Sequence, residues 1–220
     1  MFDKEKVEKI LEQAERLDPK FELFGVSEHR YKLKPPVDLA FVREMEENYH
    51  FRIPEDYVQF ITEVGDGGAG PGYGLSSFGF YRSKAKSLRE EKWRETYLYG
   101  LGKELYLLPM EPEDVEDFCV FEEDYEKNPE KYFMAISETY NSANDMSYGF
   151  FTLGTYGCGK DFGLVITGER YGQVFSVTPE GGYELLADSF QGFYQKWLDY
   201  ISDAEQFQKE LDMWRGVKNR

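Results

Sequence analysis

Residues 162–201 read FGLVITGERYGQVFSVTPEGGYELLADSFQGFYQKWLDYI. Two runs rich in aromatic and β-branched residues, 162–167 and 172–178, flank Thr167-Gly168-Glu169-Arg170-Tyr171-Gly172, a hairpin turn by composition. Pro179-Glu180-Gly181-Gly182 marks a second turn, and 183–187 reads as a further strand. Ser189 then caps a helix. Its apolar residues Phe190, Phe193, Tyr194, Trp197, Leu198 and Ile201 step by 3, 1, 3, 1 and 3, the period of one helical face. Short strands closing on one amphipathic helix require that helix to lie against the sheet.

Working upstream, 149–155 (GFFTLGT) and 132–138 (YFMAISE) extend the meander. Before them the chain reads as helices. Val7, Ile10, Leu11, Ala14 and Leu17 share a face over 3–17, and 18–36 reads as loop or extended chain up to Pro35-Pro36. Asp38 caps a second helix with the stripe Phe41, Val42, Met45 and Tyr49. Pro54 suits the first position of a third, Glu55 and Asp56 favour its positive end, and Tyr57, Phe60, Ile61 and Val64 form its buried stripe. The segment 65–74, GDGGAGPGYG, holds six glycines in ten residues, so its backbone must turn tightly or approach something closely. Residues 83–99 look helical but irregular. The tail from 203 carries Phe207, Leu211 and Trp214, as a continued or second helix. The expectation is an α+β fold, one domain over 1–220. Helices pack around an antiparallel or mixed sheet of about four to six strands.

The 38 aromatics among 220 residues exclude a disordered chain. With 26 basic and 42 acidic residues the net charge is −16. That argues against nucleic-acid binding by phosphate neutralisation and against docking on anionic membranes. The charge is uneven: residues 110–131 hold ten acids and two lysines, a net of −8. Such a run reads as a solvated face, or as a docking surface for a basic partner. It contains no glycine, which excludes a calcium loop of the EF-hand kind. Phe118, Cys119, Val120 and Phe121 interrupt the acids, so part of the run is expected to anchor in a core. The opening MFDKEKVEKILEQAERL lacks the apolar stretch of a signal peptide, and no membrane-length apolar run occurs, so a cytoplasmic protein is expected.

Motifs with known chemistry fail on context. Gly65-x-Gly67-x-x-Gly70 matches the dinucleotide fingerprint, but a helix precedes it where a strand is needed, and Pro71 follows. Gly154-x-x-x-x-Gly159-Lys160 begins like a P-loop, but Asp161 replaces the hydroxyl and strand residues follow where a helix is needed. It reads as a turn between strands. His29 and His50 are the only histidines and stand in no metal or hydrolase motif, and Cys158 has no histidine beside it to activate a thiolate. No catalytic residue, metal ligand or cofactor site is assigned.

The run FVREMEENYHFRIPEDYVQFITEVGDGGAGPGYGL (41–75) resembles the opening of the SMI1/KNR4 family, also called the SUKH superfamily. Ile53-Pro54-Glu55-Asp56-Tyr57 matches its proline-led helix start, and Gly65-Asp66-Gly67-Gly68 stands where Asn-Gly-Gly is common. Residues 162–201 look like the family's closing half, with Ser189-Phe190 and Phe193 as its "SF..F" helix. The resemblance covers about 37–201. The two ends and the long acidic middle are additions to it.

The resemblance implies one α+β domain without assigned catalytic residues. Its bacterial members are immunity proteins that neutralise toxins, often nucleases, and its fungal relatives act as regulatory adaptors in cell-wall assembly. The expected function is therefore protein binding, with a basic toxin domain as partner. The candidate contacts are Asp66, Tyr73, Phe121, Glu122, Glu123, Asp124, Tyr125 and Tyr140. In this reading the carboxylates take the places of phosphates, and Phe121 and Tyr125 anchor the contact. The alternative is an adaptor or a small-ligand or peptide module. There Tyr73, Tyr140 and Tyr148 would line a cleft between the glycine loop and residues 139–148.

Overall fold

The computed structural model describes residues 2–118, 120, 122–135, 140, 141 and 146–218. Its centre is a six-stranded antiparallel sheet in the order β1-β2-β8-β7-β6-β5. The strands are β1 (Leu107–Pro109), β2 (Tyr132–Ala135), β5 (Phe150–Gly157), β6 (Lys160–Val165), β7 (Val174–Val177) and β8 (Gly182–Ala187). The expected meander holds for β5 to β8, whereas β2, expected to extend it before β5, joins the sheet beside β8 instead, and the fold is α+β. Three short strands were not foreseen. β1 is a three-residue edge strand, and in the stretch expected to frame a cleft β3 (Tyr140–Asn141) and β4 (Met146–Ser147) pair as a separate two-stranded antiparallel sheet. Of the strand expected over 132–138, residues 136–138 lie outside the described residues.

Register assigns the side chains to faces. Tyr132 pairs with Glu184, Glu184 with Ser176 and Ser176 with Phe162, along one face. Phe133, Tyr183, Val177 and Asp161 pair in the same way along the other. The first face carries Phe151, Phe162, Leu164 and Val174 into the main core, where the helices sit. The second carries Phe150, Val165, Phe175 and Tyr183 into a smaller cluster with Leu105.

The helices are α1 (Lys4–Leu17), α2 (Val26–His29), α3 (Leu39–Tyr49), α4 (Glu55–Gln59), α5 (Leu88–Leu101), α6 (Glu122–Lys127), α7 (Phe190–Ser202) and α8 (Ala204–Lys218). α2 lies in the stretch expected to be loop: one short turn entered at Gly25 and left at Arg30, both left-handed. Side chains of Asp3, Asp38, Ser87 and Ser189 accept from backbone N–H groups at the starts of α1, α3, α5 and α7. After α4 the chain widens into one π turn, Phe60–Val64, closed by the Gly65 N–H donating to the Phe60 carbonyl five residues back (3.0 Å).

α7 packs its stripe onto this turn. The Phe60 and Tyr194 rings lie 4.6 Å apart, and Tyr57 and Phe190 4.8 Å apart. The chain ends, expected as additions outside 37–201, pack into the same core. Val7, Leu11 and Ala14 of α1 and Phe207 and Leu211 of α8 are all buried there. Burying each large apolar side chain contributes about 1.5–3 kcal/mol.

Candidate functional site

The glycine loop is a backbone junction. Lys34 N–H donates to Gly67 O (2.9 Å), and Gly68 and Leu75 exchange both backbone bonds (2.9 and 2.8 Å). Ser76 N–H donates to Leu153 O on the edge strand β5 (2.6 Å). The loop therefore fastens residues 32–34 to the sheet edge. Gly68 has φ +93°, and a Cβ there would stand 2.3 Å from Lys32 O, so no other residue fits.

Asp66 is not available to a partner. It is buried, and its carboxylate accepts from Ser77 Oγ (2.6 Å), Phe78 N (2.7 Å) and Gly79 N (2.8 Å). Expected as a contact residue, it is instead an internal brace that fixes the 3₁₀ turn Phe78–Arg82. Tyr73 is 40% exposed, its ring against Phe24 and over Gly157 at the far end of β5.

Tyr148 lies at the other end of that strand, 4.5 Å from Lys103 Nζ, and Tyr140 pairs through its backbone with the adjacent Ser147. The tyrosines expected to frame one cleft are thus separated by the length of β5. The side chain of Tyr140 lies outside the described residues.

The acidic segment packs on the β2 end of the sheet. Met110, Val115, Tyr125 and Tyr132 form a small buried cluster, joined by Phe118 and Val120. Tyr125 is a second correction. It points inward and its hydroxyl donates to Met110 O (2.8 Å), so it anchors the segment and not the partner. Phe121 and Cys119 lie outside the described residues.

Around that anchor Glu122, Glu123 and Asp124 are exposed in the first turn of α6, with Glu113, Glu116, Asp117 and Glu126 exposed nearby. None of the seven forms a salt bridge among the described residues. Among the described residues no group of His, Cys, Asp and Glu is placed to hold a metal ion.

A third region went unnoticed in the sequence. An open groove of about 910 Å³ runs between α5, the edge of β5 and the turn at 76–81. α5 supplies Arg89, Lys92, Trp93, Thr96 and Tyr97, which fall on one helical stripe. Lys34 stands on the other wall, and among the described residues Asp161 of β6 is the one carboxylate in the lining. Arg94 pins this wall from behind, donating to Phe80 O (3.0 Å) and Ser83 O (2.7 Å).

Of the other candidates, the Gly154–Lys160 motif is the β5–β6 hairpin, with Lys160 paired to Glu184 (3.0 Å). Cys158 is exposed at its tip. His29 is buried beside the glycine loop, and its Nδ1 accepts from Tyr31 N–H (3.1 Å). Burial lowers its pKa to about 4, against a smaller upward pull from the Gly70 carbonyl. No helix among the described residues is long and apolar enough to cross a membrane.

A family model described as SMI1 / KNR4 family (SUKH-1) matches residues 36–196, over two thirds of the chain. The comparison with curated proteins gave no match, and neither did the comparison with solved structures.

Proposed function

Because the chain belongs to the SMI1/KNR4 family (SUKH-1), we propose that it is a non-catalytic binding protein of the immunity type. Its acidic segment would occupy a basic toxin domain, with a nuclease as the class that fits best. What carries this reading is the set of seven exposed carboxylates without ion-pair partners among the described residues, held on a packed anchor. A nuclease surface is basic because it binds phosphate. Fixed carboxylates at α6 can occupy those phosphate positions without first being ordered, which lowers the entropic cost of association. The −16 net charge adds steering, since opposite fields raise association rates at low salt.

The test asks first whether a toxin-like domain is encoded beside this chain's reading frame, whose absence would count against the immunity reading, and then titrates that domain, purified, with the full-length protein. Affinity should fall steeply between low and physiological salt. The triple reversal Glu122→Lys/Glu123→Lys/Asp124→Lys should cost at least about tenfold, roughly 1.4 kcal/mol, and abolish protection of cells expressing the toxin. A complex insensitive to ionic strength, or unchanged by the reversal, removes the acidic segment from the mechanism.

A further inference from the structure

The acidic segment lies against the β2 end of the sheet, whereas the groove beside α5 lies along the opposite edge, at β5. Its chemistry is also opposite. Lys34, Arg89 and Lys92 border it, and none of the three forms a salt bridge among the described residues. In a chain with 42 acids to 26 bases, three such cations around one cavity are a local reversal of sign. The reversal is built into α5. Arg89, Lys92, Trp93, Thr96 and Tyr97 face the groove, while Glu91 and Glu95 line a separate hollow with Met45 and Tyr49.

The second feature is a stack of parallel rings. Tyr81 and Tyr97 lie 6.1 Å apart at 8°, and Tyr97 and Trp93 lie 5.5 Å apart at 11°. The stack ends on Trp93, which is 42% exposed and lines the groove. An exposed indole at the end of a stack is a platform for one more planar ring.

The third feature concerns shape. An extended peptide would dock here by adding a strand to β5, but that edge is already occupied. Thr152 N–H donates to the Tyr97 hydroxyl (2.8 Å), and Ser76 N–H donates to Leu153 O (2.6 Å). The space remaining, about 910 Å³, is within the range of small-molecule sites, about 300–1,000 Å³.

We propose that this groove binds a nucleotide-class anion, a planar base on Trp93 with its phosphates between Arg89, Lys92 and Lys34. Ser76, Thr96 and Thr152 line the space between, where a sugar would lie. The site owes nothing to the two glycine motifs, which are structural turns. The remote acidic segment does not prevent binding at physiological salt, where charges farther than about 8 Å are screened.

The experiment titrates the full-length protein with ATP and GTP, following tryptophan fluorescence and calorimetry. Adenosine and inorganic tripolyphosphate serve as the two halves of the ligand, and a polyglutamate peptide as the competing class. Saturable nucleotide binding is expected, with each half alone at least about tenfold weaker. Trp93→Ala and the double reversal Arg89→Glu/Lys92→Glu should each weaken ATP about tenfold or more. Both alter exposed side chains, so thermal unfolding should stay as in the parent, which separates lost binding from lost folding. No saturable binding of either nucleotide overturns the proposal. So does tripolyphosphate binding as tightly as ATP, an affinity unchanged by Trp93→Ala, or polyglutamate displacing ATP at equal concentration.

Discussion

His29 shows how much one buried side chain sets. Its Nδ1 is an acceptor for Tyr31 N–H, so the ring must be neutral in the folded state, and burial holds its pKa near 4, below the 6.5 of an unburied histidine. The unfolded chain takes up the proton first as pH falls. Stability from this residue is therefore complete above 6.5 and is lost on acidification towards 4, by at most about 1.4 kcal/mol per pH unit. In His29→Asn the amide oxygen can still accept from Tyr31 but cannot be protonated in this range. The stability advantage of the parent over His29→Asn, measured by denaturant unfolding, should shrink steadily from pH 6.5 to 4. A constant difference would show that His29 does not titrate this way. The sequence could not supply this, because His29 sits in a stretch with no periodicity. The same holds for Asp66: its place in a glycine run marked a turn, but only the folded chain brings Ser77, Phe78 and Gly79 to its carboxylate.

Between elements, the join of α3 to α4 rests on Glu46. Its carboxylate is fully buried, accepts from Ile53 N–H (2.8 Å) and pairs with Arg43 (2.8 Å). Arg43 also reaches Glu55 (2.7 Å), so one arginine spans both helices. Glu46→Ala leaves Ile53 N–H without its acceptor and should cost about 2–3 kcal/mol in urea unfolding. Arg43→Ala exposes the same contact from its solvent side and should cost less. Equal, small effects would mean that the clamp adds nothing.

Elements of this size were legible where one period ran long enough. The α7 stripe and its Ser189 cap, and the strands β5 to β8, follow directly from the pattern. β1 was not legible, because three residues carry no alternation. The α5 stripe was present in the letters, but it is cationic and aromatic, and a search for apolar periodicity passes over it. Tyr125 was misread because an aromatic among acids looks the same whether it faces a partner or a core.

For the molecule as a whole, the two chain ends close the core. Phe207 and Leu211 are fully buried, Tyr200 of α7 donates to Glu210 of α8, and Arg215 pairs with Glu22 (2.7 Å). α8 therefore covers the region around Tyr31, whose ring lies 6.3 Å from Phe207. Ending the chain after Asp203 should remove about 4 kcal/mol or more from the unfolding free energy, a large part of the usual total of about 5–15. A truncated protein with an unchanged unfolding midpoint would show that α8 is only an appendage. Charge has the same global character. Its sum was readable at once, but its division into an acidic end and a basic groove at the opposite edge needed the sheet order. Lys34 is far in the chain from Arg89 and Lys92, and only folding gathers the three.

The π turn at Phe60–Val64 makes length, more than composition, the guarded quantity here. Such a turn holds one residue beyond what an α-helix would need to reach the same exit. A deletion there could relax into ordinary helix with its hydrogen bonds intact, yet the exit would swing by about 100°. Asp66 would leave the turn it braces, and the ladder from Lys34 to Leu153 would lose its alignment. Descendants of this sequence have freedom to exchange side chains around the loop, but little freedom to lose a codon.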